Sequence, residues 1–421
     1  MSDAIEIRPS GPVRGSIRPP GSKSITNRAL VCAALAEGKS VLEGALDSDD
    51  TRLMIDGLQA LGVAVEHDAK QQTIRVAGCG GRLPAREADI PVGNSGTTVR
   101  FLTAVATLGQ GLFRLDGSAR MRERPIEDLL DALRQLGADA RSQLGSGCPP
   151  VVVRAAGLPG GRATVAGDVS SQFLSALLMA APGAKTPVEL AVARKLVSKP
   201  YVAMTLGVMA AFGVSVAAGP PWRIAPGRYR ACRYAIEPDA SAASYFLAAA
   251  AVTGGSVTVE GLSRQGLQGD VAFCDCLEQM GCQVRGDPGG LTVAGGPLRG
   301  IEVDMNAISD TVPTLAVVAL LARGPTTIRG VAHIRHKETD RIRALATELR
   351  KLGAAVDELE DGLRIIPGTL HGARLETYDD HRMAMSLALA GLVTAGVVIS
   401  DPECTAKTYP EFFRDLARLR T

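Results

Sequence analysis

The chain repeats one pattern of polar and apolar residues six times. Each copy begins with a polar cluster, continues as an Ala/Leu-rich run, turns at a glycine and ends in a short β-branched run. The six copies read KSITNRALVCAALAEGKSVLEG, GNSGTTVRFLTAVATLGQGLFRLDG, VSSQFLSALLMAAPGAKTPVEL, PDASAASYFLAAAAVTGGSVTVEG, SDTVPTLAVVALLARGPTTIRG and YDDHRMAMSLALAGLVTAGVVIS. Arg28, Arg100, Gln172 and Ser244 lie at equal intervals of 72 residues, and the last two copies drift by a few. This regularity indicates a fold built from repeated units.

A second run follows the first in five copies and ends at a glycine. These runs read LMIDGLQALGVAVE, LLDALRQLGADAR, LGVMAAFGVSV, FCDCLEQMGCQV and ALATELRKLGAAV, with glycines at Gly62, Gly137, Gly213, Gly281 and Gly353. A glycine just past a helix end commonly adopts the left-handed conformation that caps the helix. We therefore predict that each run is a helix followed by a strand. The chain stops where the sixth would fall.

These patterns predict a mixed α/β architecture. Each copy reads helix, strand, helix, strand, often with one further strand, and such alternation favours that class. The first helix is apolar on nearly all sides and should be buried, whereas the second is amphipathic. A chain of 421 residues exceeds what one hydrophobic core usually serves, so we expect two domains of three units each. A natural boundary lies near RYAIEPDASAAS, just before the fourth copy.

All six buried helices are predicted to begin in polar residues. An exposed helix start has free N–H groups and a partial positive charge, which suits anions. Capping explains the small oxygens, and we assign that role to SDDTR at Ser48 to Arg52. For PDASAAS we expect either capping or a hinge between the domains. Capping does not explain cations, which oppose the helix dipole, at Lys23, Arg28, Arg100, His381 and Arg382. Two opposite charges about 4 Å apart near a protein surface attract each other by ~4 kcal/mol before the cost of desolvation. Several such pairs could hold a polyanion, so the cations at these positions indicate a multiply charged phosphate ligand.

The phosphate ligand is not predicted to bind through a P-loop. That motif requires G-x-x-x-x-G-K-[ST] after a strand, but here Ser22 separates Gly21 from Lys23. The prolines Pro19 and Pro20 would also break the preceding strand. The Gly-rich stretch GNSGTT could instead lend backbone N–H groups to an anion.

The densest set of charges is HIRHKETDRIRALATELRKLG, from His333 to Gly353. On a helix, Lys337 and Arg341 would be one turn apart, and Glu338 would pair with Arg341. A carboxylate held among cations indicates a proton-transfer group beside a charged substrate. Asp310 is a second carboxylate at a helix start, and an acid and a base in separate environments could serve one site. We assign to a charged surface the later residues Arg343, Glu348, Arg350 and Lys351.

Composition narrows the function further. A net charge of +2 argues against a nucleic-acid protein, which needs a broad basic face. The eight cysteines are scattered without zinc-like pairing, so we interpret them as reduced packing thiols and expect no metal site. The longest apolar runs, such as YFLAAAAV, are too short to span a membrane, and the amino terminus has no apolar signal core. We expect a soluble, cytoplasmic protein.

Eight motifs occur together in one order: PGSKSITNR, GNSGTTVR, RERPI, SSQF, SKPY, KETDR, DDHRMAM and CTAKTYPEFF. In this set the chain resembles the 5-enolpyruvylshikimate-3-phosphate synthase family over essentially its whole length. The resemblance implies that the enolpyruvyl group of phosphoenolpyruvate is transferred to shikimate 3-phosphate, with no metal or organic cofactor. With Gly96 in the matching loop, the resemblance also implies inhibition by glyphosate, and Phe101 leaves the strength of that inhibition open.

The resemblance implies a fold and two domains. Each domain would hold three βαβαββ units around buried parallel helices, an inverse α/β barrel, with the active site in the cleft between the domains. The shikimate 3-phosphate side would span residues 19–235, and residues 1–18 with 236–421 would carry the catalytic carboxylates. Two crossovers would join the domains, so the first strand would belong with the carboxy-terminal half. A monomer is expected.

The family's site residues carry over to matching positions here. The catalytic residues would be Asp310, Glu338 and Lys23. Shikimate 3-phosphate would be bound by Lys23, Ser24, Arg28, Ser170, Ser171, Gln172, Ser198, Tyr201, Asp310, His333 and Lys337. Phosphoenolpyruvate would be bound by Lys23, Asn94, Gly96, Arg124, Gln172, Glu338, Arg341, Arg382 and Lys407.

The sequence departs from the family pattern in two places. His333 stands where many members carry Asn, and the Gly96 loop varies at Ser95, Thr97, Thr98 and Phe101. Two alternatives remain open. One is the sister transferase that acts on UDP-N-acetylglucosamine with a loop cysteine as acid, which SARMRERPIEDLL lacks here. The other is a non-catalytic phosphometabolite sensor, for which a matched acid and base would have little use.

Overall fold

A computed structural model describes residues 4–217 and 219–419. The chain divides into two compact units, one spanning Gly21–Ile236 and the other combining the chain up to Pro20 with the chain from Glu237 onward. Both units mix helices with strands, and the predicted α/β class is confirmed. The expected domain boundaries and the substrate assigned to each domain stay predictions, and their outer ends at Met1 and Thr421 lie outside the described residues.

The helices of the described residues follow the repeat. They are α1 Lys23–Leu35, α2 Asp49–Ala60, α3 Gly96–Ala106, α4 Glu127–Gln135, α5 Ser171–Ala180, α6 Lys199–Ala211, α7 Ala240–Thr253, α8 Phe273–Met280, α9 Val312–Val318, α10 Arg341–Lys351, α11 His381–Ala388 and α12 Phe412–Arg418. The odd-numbered helices are the predicted first helices of the six repeats, and the even-numbered helices are the second helices. Every residue of α3, α9 and α11 is buried, including the polar residues near their starts.

The strands are short, and those of the described residues number twenty-two. They are β1 Ala4–Ile7, β2 Arg14–Ile17, β3 Glu37–Glu43, β4 Ala64–Asp68, β5 Thr73–Cys79, β6 Glu87–Gly93, β7 Gln110–Gly117, β8 Asp139–Ser142, β9 Val151–Ala156, β10 Gly161–Val165, β11 Val188–Val192, β12 Trp222–Ile224, β13 Arg233–Ala235, β14 Ser256–Glu260, β15 Gln283–Asp287, β16 Gly290–Ala294, β17 Glu302–Asp304, β18 Thr326–Arg329, β19 Ala355–Leu359, β20 Gly362–Ile366, β21 Arg374–Leu375 and β22 Val397–Ser400.

The glycine stops form as predicted. All five glycines have a positive φ, between 84° and 111°, just past the ends of α2, α4, α6, α8 and α10. One expected strand is wrong: residues 214–217, after Gly213, form none, because the Pro220-Pro221 pair interrupts the run and removes backbone donors. The chain pairs later instead, where β12 runs antiparallel to β11. The sequence pattern ended after five second helices, but a sixth, α12, is present near the end of the described chain.

Within Gly21–Ile236 the strands form sheets with the orders β13-β3-β5-β4, β6-β7-β9-β8 and β10-β11-β12. The second of these sheets shows how one repeat is built. Its strands β6 and β7 are parallel and joined through α3, whereas β7 and β8 both pair antiparallel with β9. The order along the chain is therefore βαβαββ, with the apolar helix on the inward face. Alternate strand residues such as Ile90, Phe113 and Val153 are buried on that face.

The other unit has sheets with the orders β15-β16-β14-β2, β17-β18-β20-β19 and β1-β22-β21. The strand before α1, β2, pairs in parallel with β14 rather than with the strand that follows α1. The strand before α7, β13, pairs in parallel with β3. The two connecting strands are thus exchanged, and the amino-terminal strands β1 and β2 pair with β22 and β14 of the carboxy-terminal half.

Two composition-based expectations can be compared with the structure. All eight cysteines are free thiols, and Cys32, Cys274, Cys276 and Cys282 are buried. Across the described ranges, no helix combines the length and the hydropathy needed to cross a lipid bilayer.

Candidate active site

The start of α1 carries the first predicted cation. Ser22 caps the helix, and Lys23 is its first residue. The Lys23 Nζ atom lies 3.2 Å from Asp50 Oδ2, and Asp50 is only 2% exposed. Ser48 caps α2 in a capping box with Thr51, as predicted, but the capping interpretation of SDDTR overlooked Asp50. No sequence signal distinguishes Asp50 from its neighbour Asp49, because only the structure shows that Asp50 is buried and Asp49 exposed.

Arg28 joins several predicted residues of this unit. Its side chain is 1% exposed, and burial lowers its pKa to about 10, so the guanidinium stays charged at neutral pH. Nε donates to Thr205 Oγ1 at 2.7 Å, and Nη1 donates to the Ser24 carbonyl at 2.9 Å. Nη2 lies 3.3 Å from Ser175 Oγ and 3.4 Å from the Tyr201 carbonyl. Arg28 therefore ties α1 to α5 and α6 next to Ser24 and Tyr201.

The starts of α3 and α5 meet through Gln172. Ser170 caps α5 and accepts from the Gln172 N–H at 3.2 Å, with Ser171 buried beside it. Arg100 donates to Gln172 Oε1 at 2.7 Å, and Gln172 Nε2 donates to Thr97 Oγ1 at 3.2 Å. The repeat therefore brings Arg100 and Gln172 into contact. The Gln172 amide is held at both ends.

The glycine loop before α3 contacts Arg124. The Arg124 Nη1 atom donates to the Asn94 carbonyl at 3.1 Å, and the side chain is buried. A Cβ at Gly96 would lie 2.5 Å from Arg124 Nη2, so the missing side chain gives the guanidinium its place. Asn94, Gly96 and Arg124, grouped by the resemblance, are thus adjacent. Ser198, also predicted, directly precedes α6 in a left-handed conformation and is buried.

Asp310 gathers three cations in the other unit. Its Oδ1 atom lies 3.3 Å from Lys337 Nζ and 3.3 Å from Arg341 Nη1. Its Oδ2 atom lies 2.7 Å from Arg382 Nη2. The residues come from the segment before α9, from around the start of α10 and from the start of α11. The predicted carboxylate at a helix start is therefore in direct contact with three predicted cations.

Arg341 is the most enclosed of these cations. Its Nη2 atom donates to Glu338 Oε2 at 2.8 Å, as the sequence predicted, and Lys407 Nζ lies 3.9 Å from Glu338 Oε1. Asp380, which was not predicted, accepts from Arg341 Nε at 2.8 Å and Nη2 at 3.1 Å, and it caps α11. Arg341 is 1% exposed and Asp380 is fully buried. Burial alone would lower the pKa of Arg341, but Asp380, Glu338 and Asp310 together raise it.

Two expectations for the charged segment are wrong. The helix α10 begins at Arg341 with Asp340 as its cap, so Lys337 and Glu338 lie before the helix and not on its first turn. The helix begins there because the Asp340 carboxylate accepts a hydrogen bond from the Arg343 N–H at 3.1 Å, which caps the first turn of α10. Arg343 and Arg350 are exposed as predicted, but Glu348 is fully buried. Its carboxylate can be buried because Lys351, Tyr378 and the Glu376 N–H all donate to it.

His333 and Tyr245 complete this part of the chain. His333 is 6% exposed, and burial followed by the nearby Lys337 charge lowers its pKa to about 3, so its imidazole is neutral. Burial also lowers the pKa of Lys337. Tyr245, not predicted, accepts from Arg382 Nη1 at 3.4 Å, and burial raises its pKa to about 12. In the described ranges no three His, Cys, Asp or Glu side chains are arranged to hold a metal ion.

Comparisons with known proteins agree on one family. The family model described as EPSP synthase (3-phosphoshikimate 1-carboxyvinyltransferase) matches residues 7–416. A 3-phosphoshikimate 1-carboxyvinyltransferase of Nostoc punctiforme is 50% identical over 417 residues, with 98% of each chain covered. A chloroplastic one of Arabidopsis thaliana is 48% identical, covering 99% of this chain and 84% of the relative.

Solved structures agree with the sequence relatives. The EPSP synthase of Acinetobacter baumannii superimposes with a TM-score of 0.81 at 26% identity, covering 99% of this chain and 98% of that one. An enolpyruvyl transferase of Streptomyces tendae, 23% identical with a TM-score of 0.81, shares the fold, covering 99% of this chain and 97% of that one. By its sequence, its repeated units and these relatives, the chain belongs to the EPSP synthase family of enolpyruvyl transferases.

Proposed function

We propose that the protein transfers the enolpyruvyl group of phosphoenolpyruvate to the 5-hydroxyl of shikimate 3-phosphate and releases phosphate. This reaction belongs to the shikimate pathway, which leads to chorismate and the aromatic amino acids. The observation that carries the proposal is the contact of one carboxylate, Asp310, with Lys337, Arg341 and Arg382. Such a cluster suits a reaction that joins two anions and needs a base beside them.

Shikimate 3-phosphate is assigned mainly to the Gly21–Ile236 unit. Its phosphate would accept hydrogen bonds from hydroxyls and N–H groups at the starts of α1, α5 and α6. The proposed residues are Lys23, Ser24, Arg28, Ser170, Ser171, Gln172, Ser198 and Tyr201, with Asp310, His333 and Lys337 directed to the ring. The bonds from Arg28 to the Ser24 and Tyr201 carbonyls support a second role for it, because they hold two proposed ligands in place.

Phosphoenolpyruvate is assigned to the arginines and lysines around Gly96 and Glu338. The planar Arg forks match its carboxylate and phosphate, and the narrow loop at Gly96 leaves Arg124 in reach. The proposed residues are Lys23, Asn94, Gly96, Arg124, Gln172, Glu338, Arg341, Arg382 and Lys407. The support is that Arg124 packs on the Gly96 loop and that Arg341 and Lys407 both approach Glu338.

Asp310 is proposed as the base for the attacking hydroxyl. In the structure its oxygens are paired with three cations. A bound phosphate or carboxylate competes for the same cations. A cation that pairs with a bound substrate no longer occupies Asp310, so a carboxylate oxygen becomes available to accept the proton of the attacking hydroxyl. Substrate binding would then prepare the base at the time it is needed.

The chemistry is addition followed by elimination. The 5-hydroxyl oxygen bonds to the central carbon of phosphoenolpyruvate and gives its proton to Asp310, while Glu338 delivers a proton to the methylene carbon. The tetrahedral adduct then breaks its bond to the phosphate oxygen and returns the carbon-bound proton to Glu338, which restores the double bond. Lys23 stabilises the negative charge that develops on the leaving phosphate.

The test is phosphate release from purified protein mixed with shikimate 3-phosphate and phosphoenolpyruvate. Formation of the enolpyruvyl ether, identified by mass spectrometry, is the expected result. UDP-N-acetylglucosamine as acceptor tests the sister activity, and phosphoenolpyruvate alone tests simple hydrolysis. Turnover only with the nucleotide sugar, or binding of both substrates without turnover, would contradict the proposal.

We also propose that the protein works in the cytoplasm as a monomer and without a cofactor. The near-neutral net charge of +2 and the scattered free thiols support this setting. Light scattering of the purified protein at working concentration measures its molar mass. We expect the mass of a single chain, 43.8 kDa.

A further inference from the structure

Glu348 is a buried carboxylate without a role in the proposed chemistry. It lies two turns after Arg341 on α10 and is fully buried. Its Oε1 atom accepts from the Tyr378 hydroxyl at 2.6 Å, and its Oε2 atom accepts from the Glu376 N–H at 3.0 Å. Lys351 Nζ lies 2.8 Å from Oε2. A buried charge with this many donors is fixed in position, since losing any one of them leaves a desolvated oxygen.

The partners of Glu348 belong to the segment that leads into α11. Within it, Tyr378 and Asp379 have φ values of 58° and 53°. The left-handed region is uncommon for any residue other than glycine, and most of all for a bulky one such as tyrosine. Two such residues in succession persist only where the surroundings hold them. Glu348 supplies that hold, because it binds both the backbone before the strained pair and the tyrosine hydroxyl.

The same segment ends at Asp380, the partner of Arg341. Asp380 accepts from two Arg341 nitrogens and from the Arg382 N–H at 2.9 Å. The segment is therefore fastened to α10 at Glu348 and again at Arg341, seven residues or roughly 10 Å apart along the helix. The two attachments set the position of Asp380 relative to α10. Asp380 in turn orients Arg341 and begins the helix that carries Arg382.

We propose that Glu348 and Tyr378 are positioning residues for phosphoenolpyruvate binding, acting through the strained 376–380 segment on Asp380, Arg341 and Arg382. Neither side chain is assigned to a substrate. The inference rests on the proposed function, because it takes Arg341 and Arg382 as ligands of phosphoenolpyruvate. It assigns a role to a carboxylate that the sequence indicated was only part of a charged surface.

Two variants test this inference. Tyr378→Phe removes one hydroxyl from a half-exposed ring and should leave the fold intact, whereas Glu348→Gln keeps the shape but loses the charge. We expect the phosphoenolpyruvate KM to rise about three- to tenfold in Tyr378→Phe, the factor for one hydrogen bond, and more in Glu348→Gln. The shikimate 3-phosphate KM should stay within about twofold, because its main ligands lie on other helices. The double variant should be no worse than Glu348→Gln, because both changes break one link.

Two controls separate positioning from stability. Tyr229→Phe removes another buried hydroxyl, which donates to the Met179 carbonyl at 3.0 Å far along the chain from α10, and should change neither KM. A loss of folded protein would lower the apparent kcat of any variant but not the KM of one substrate alone. Unchanged phosphoenolpyruvate KM in both test variants, or equal rises for both substrates, would overturn the inference. An inactive parent protein would instead refute the proposed function.

Discussion

Arg382 and Asp310 are 72 residues apart in the sequence, and their side chains meet with 2.7 Å between Nη2 and Oδ2. The same spacing joins Arg100 to Gln172 at 2.7 Å and Thr314 to Ser386 at 3.3 Å. These residues meet because the buried first helices of one compact unit pack side by side, so that side chains near the starts of neighbouring first helices come into contact. The repeat therefore predicts contacts between residues about one repeat length apart, and Ser244 and Thr314, 70 residues apart, meet in the same way at 3.0 Å. It brings the polar helix starts of one unit together.

The first prediction concerns Asp310 as base and as competitor for cations. Asp310→Asn should lower kcat by about 10²- to 10⁴-fold, the usual loss when a general base is removed. Because the neutral amide no longer pairs with Arg382, Arg341 and Lys337, the Kd of phosphoenolpyruvate should stay equal or fall. Steady-state kinetics and calorimetric titration measure the two effects. Asp357→Asn, on an exposed strand, is the control, and a weaker phosphoenolpyruvate affinity in Asp310→Asn would count against the competition model.

The second prediction concerns the space at Gly96. A methyl group there would lie 2.5 Å from Arg124 Nη2, so the buried guanidinium would have to move. Gly96→Ala should raise the phosphoenolpyruvate KM by about tenfold or more while the shikimate 3-phosphate KM changes little. Gly227→Ala is the matched control, since its new Cβ would meet nothing closer than 3.9 Å. An unchanged phosphoenolpyruvate KM would dismiss the crowding. Inhibition by glyphosate stays a prediction, and it can be tested by comparing the glyphosate inhibition constants of the parent and of Gly96→Ala.

The third prediction concerns the partner of Lys23. Asp50 is almost fully buried and holds Lys23 Nζ at 3.2 Å, whereas its neighbour Asp49 is exposed on the same first turn of α2. Asp50→Asn should lower kcat by roughly tenfold, because Lys23 loses the charge that fixes its ammonium group. Asp49→Asn removes the same favourable interaction with the helix dipole and should leave kcat near that of the parent. An equal loss of kcat in Asp50→Asn and Asp49→Asn would show that Asp50 acts only through the dipole of α2 and not through Lys23.

The fourth prediction concerns pH and the buried His333. Its pKa is about 3 in the folded chain, against about 6.5 when unfolded. Between these values only the unfolded chain binds the proton, so this contribution to stability is complete above the unfolded pKa and is lost as the pH falls. From about pH 7.5 to pH 5, the parent should lose about 2 kcal/mol more unfolding free energy than His333→Gln. Denaturant unfolding at both pH values measures this. Parallel losses in the two proteins would mean that His333 is protonated when folded.

Much of this protein could be predicted from local pattern. The six apolar helices are buried, the five glycine stops have positive φ, and the predicted contact of Glu338 with Arg341 forms. These features depend on residues only a few positions apart. Helix periodicity, caps and turn glycines act over that range, so the sequence displays them directly.

Other features depend on contacts between distant segments. The strands β2 and β13 are exchanged between the sheets, and no local signal distinguishes that pairing from the simpler one. Asp50 and Glu348 look like ordinary capping and surface residues in the sequence. They are buried because Lys23 and Tyr378, far away in sequence, supply their donors.

The sequence by itself determined the repeat, the α/β class, the buried helices and the residue types at their starts, because short-range preferences and hydrophobic periodicity specify these. Only the tertiary structure decided which carboxylate pairs with which cation, where α10 begins and which polar side chains lose contact with water. Those outcomes depend on which helices become neighbours, and the energy of a buried charge is set by the groups that surround it.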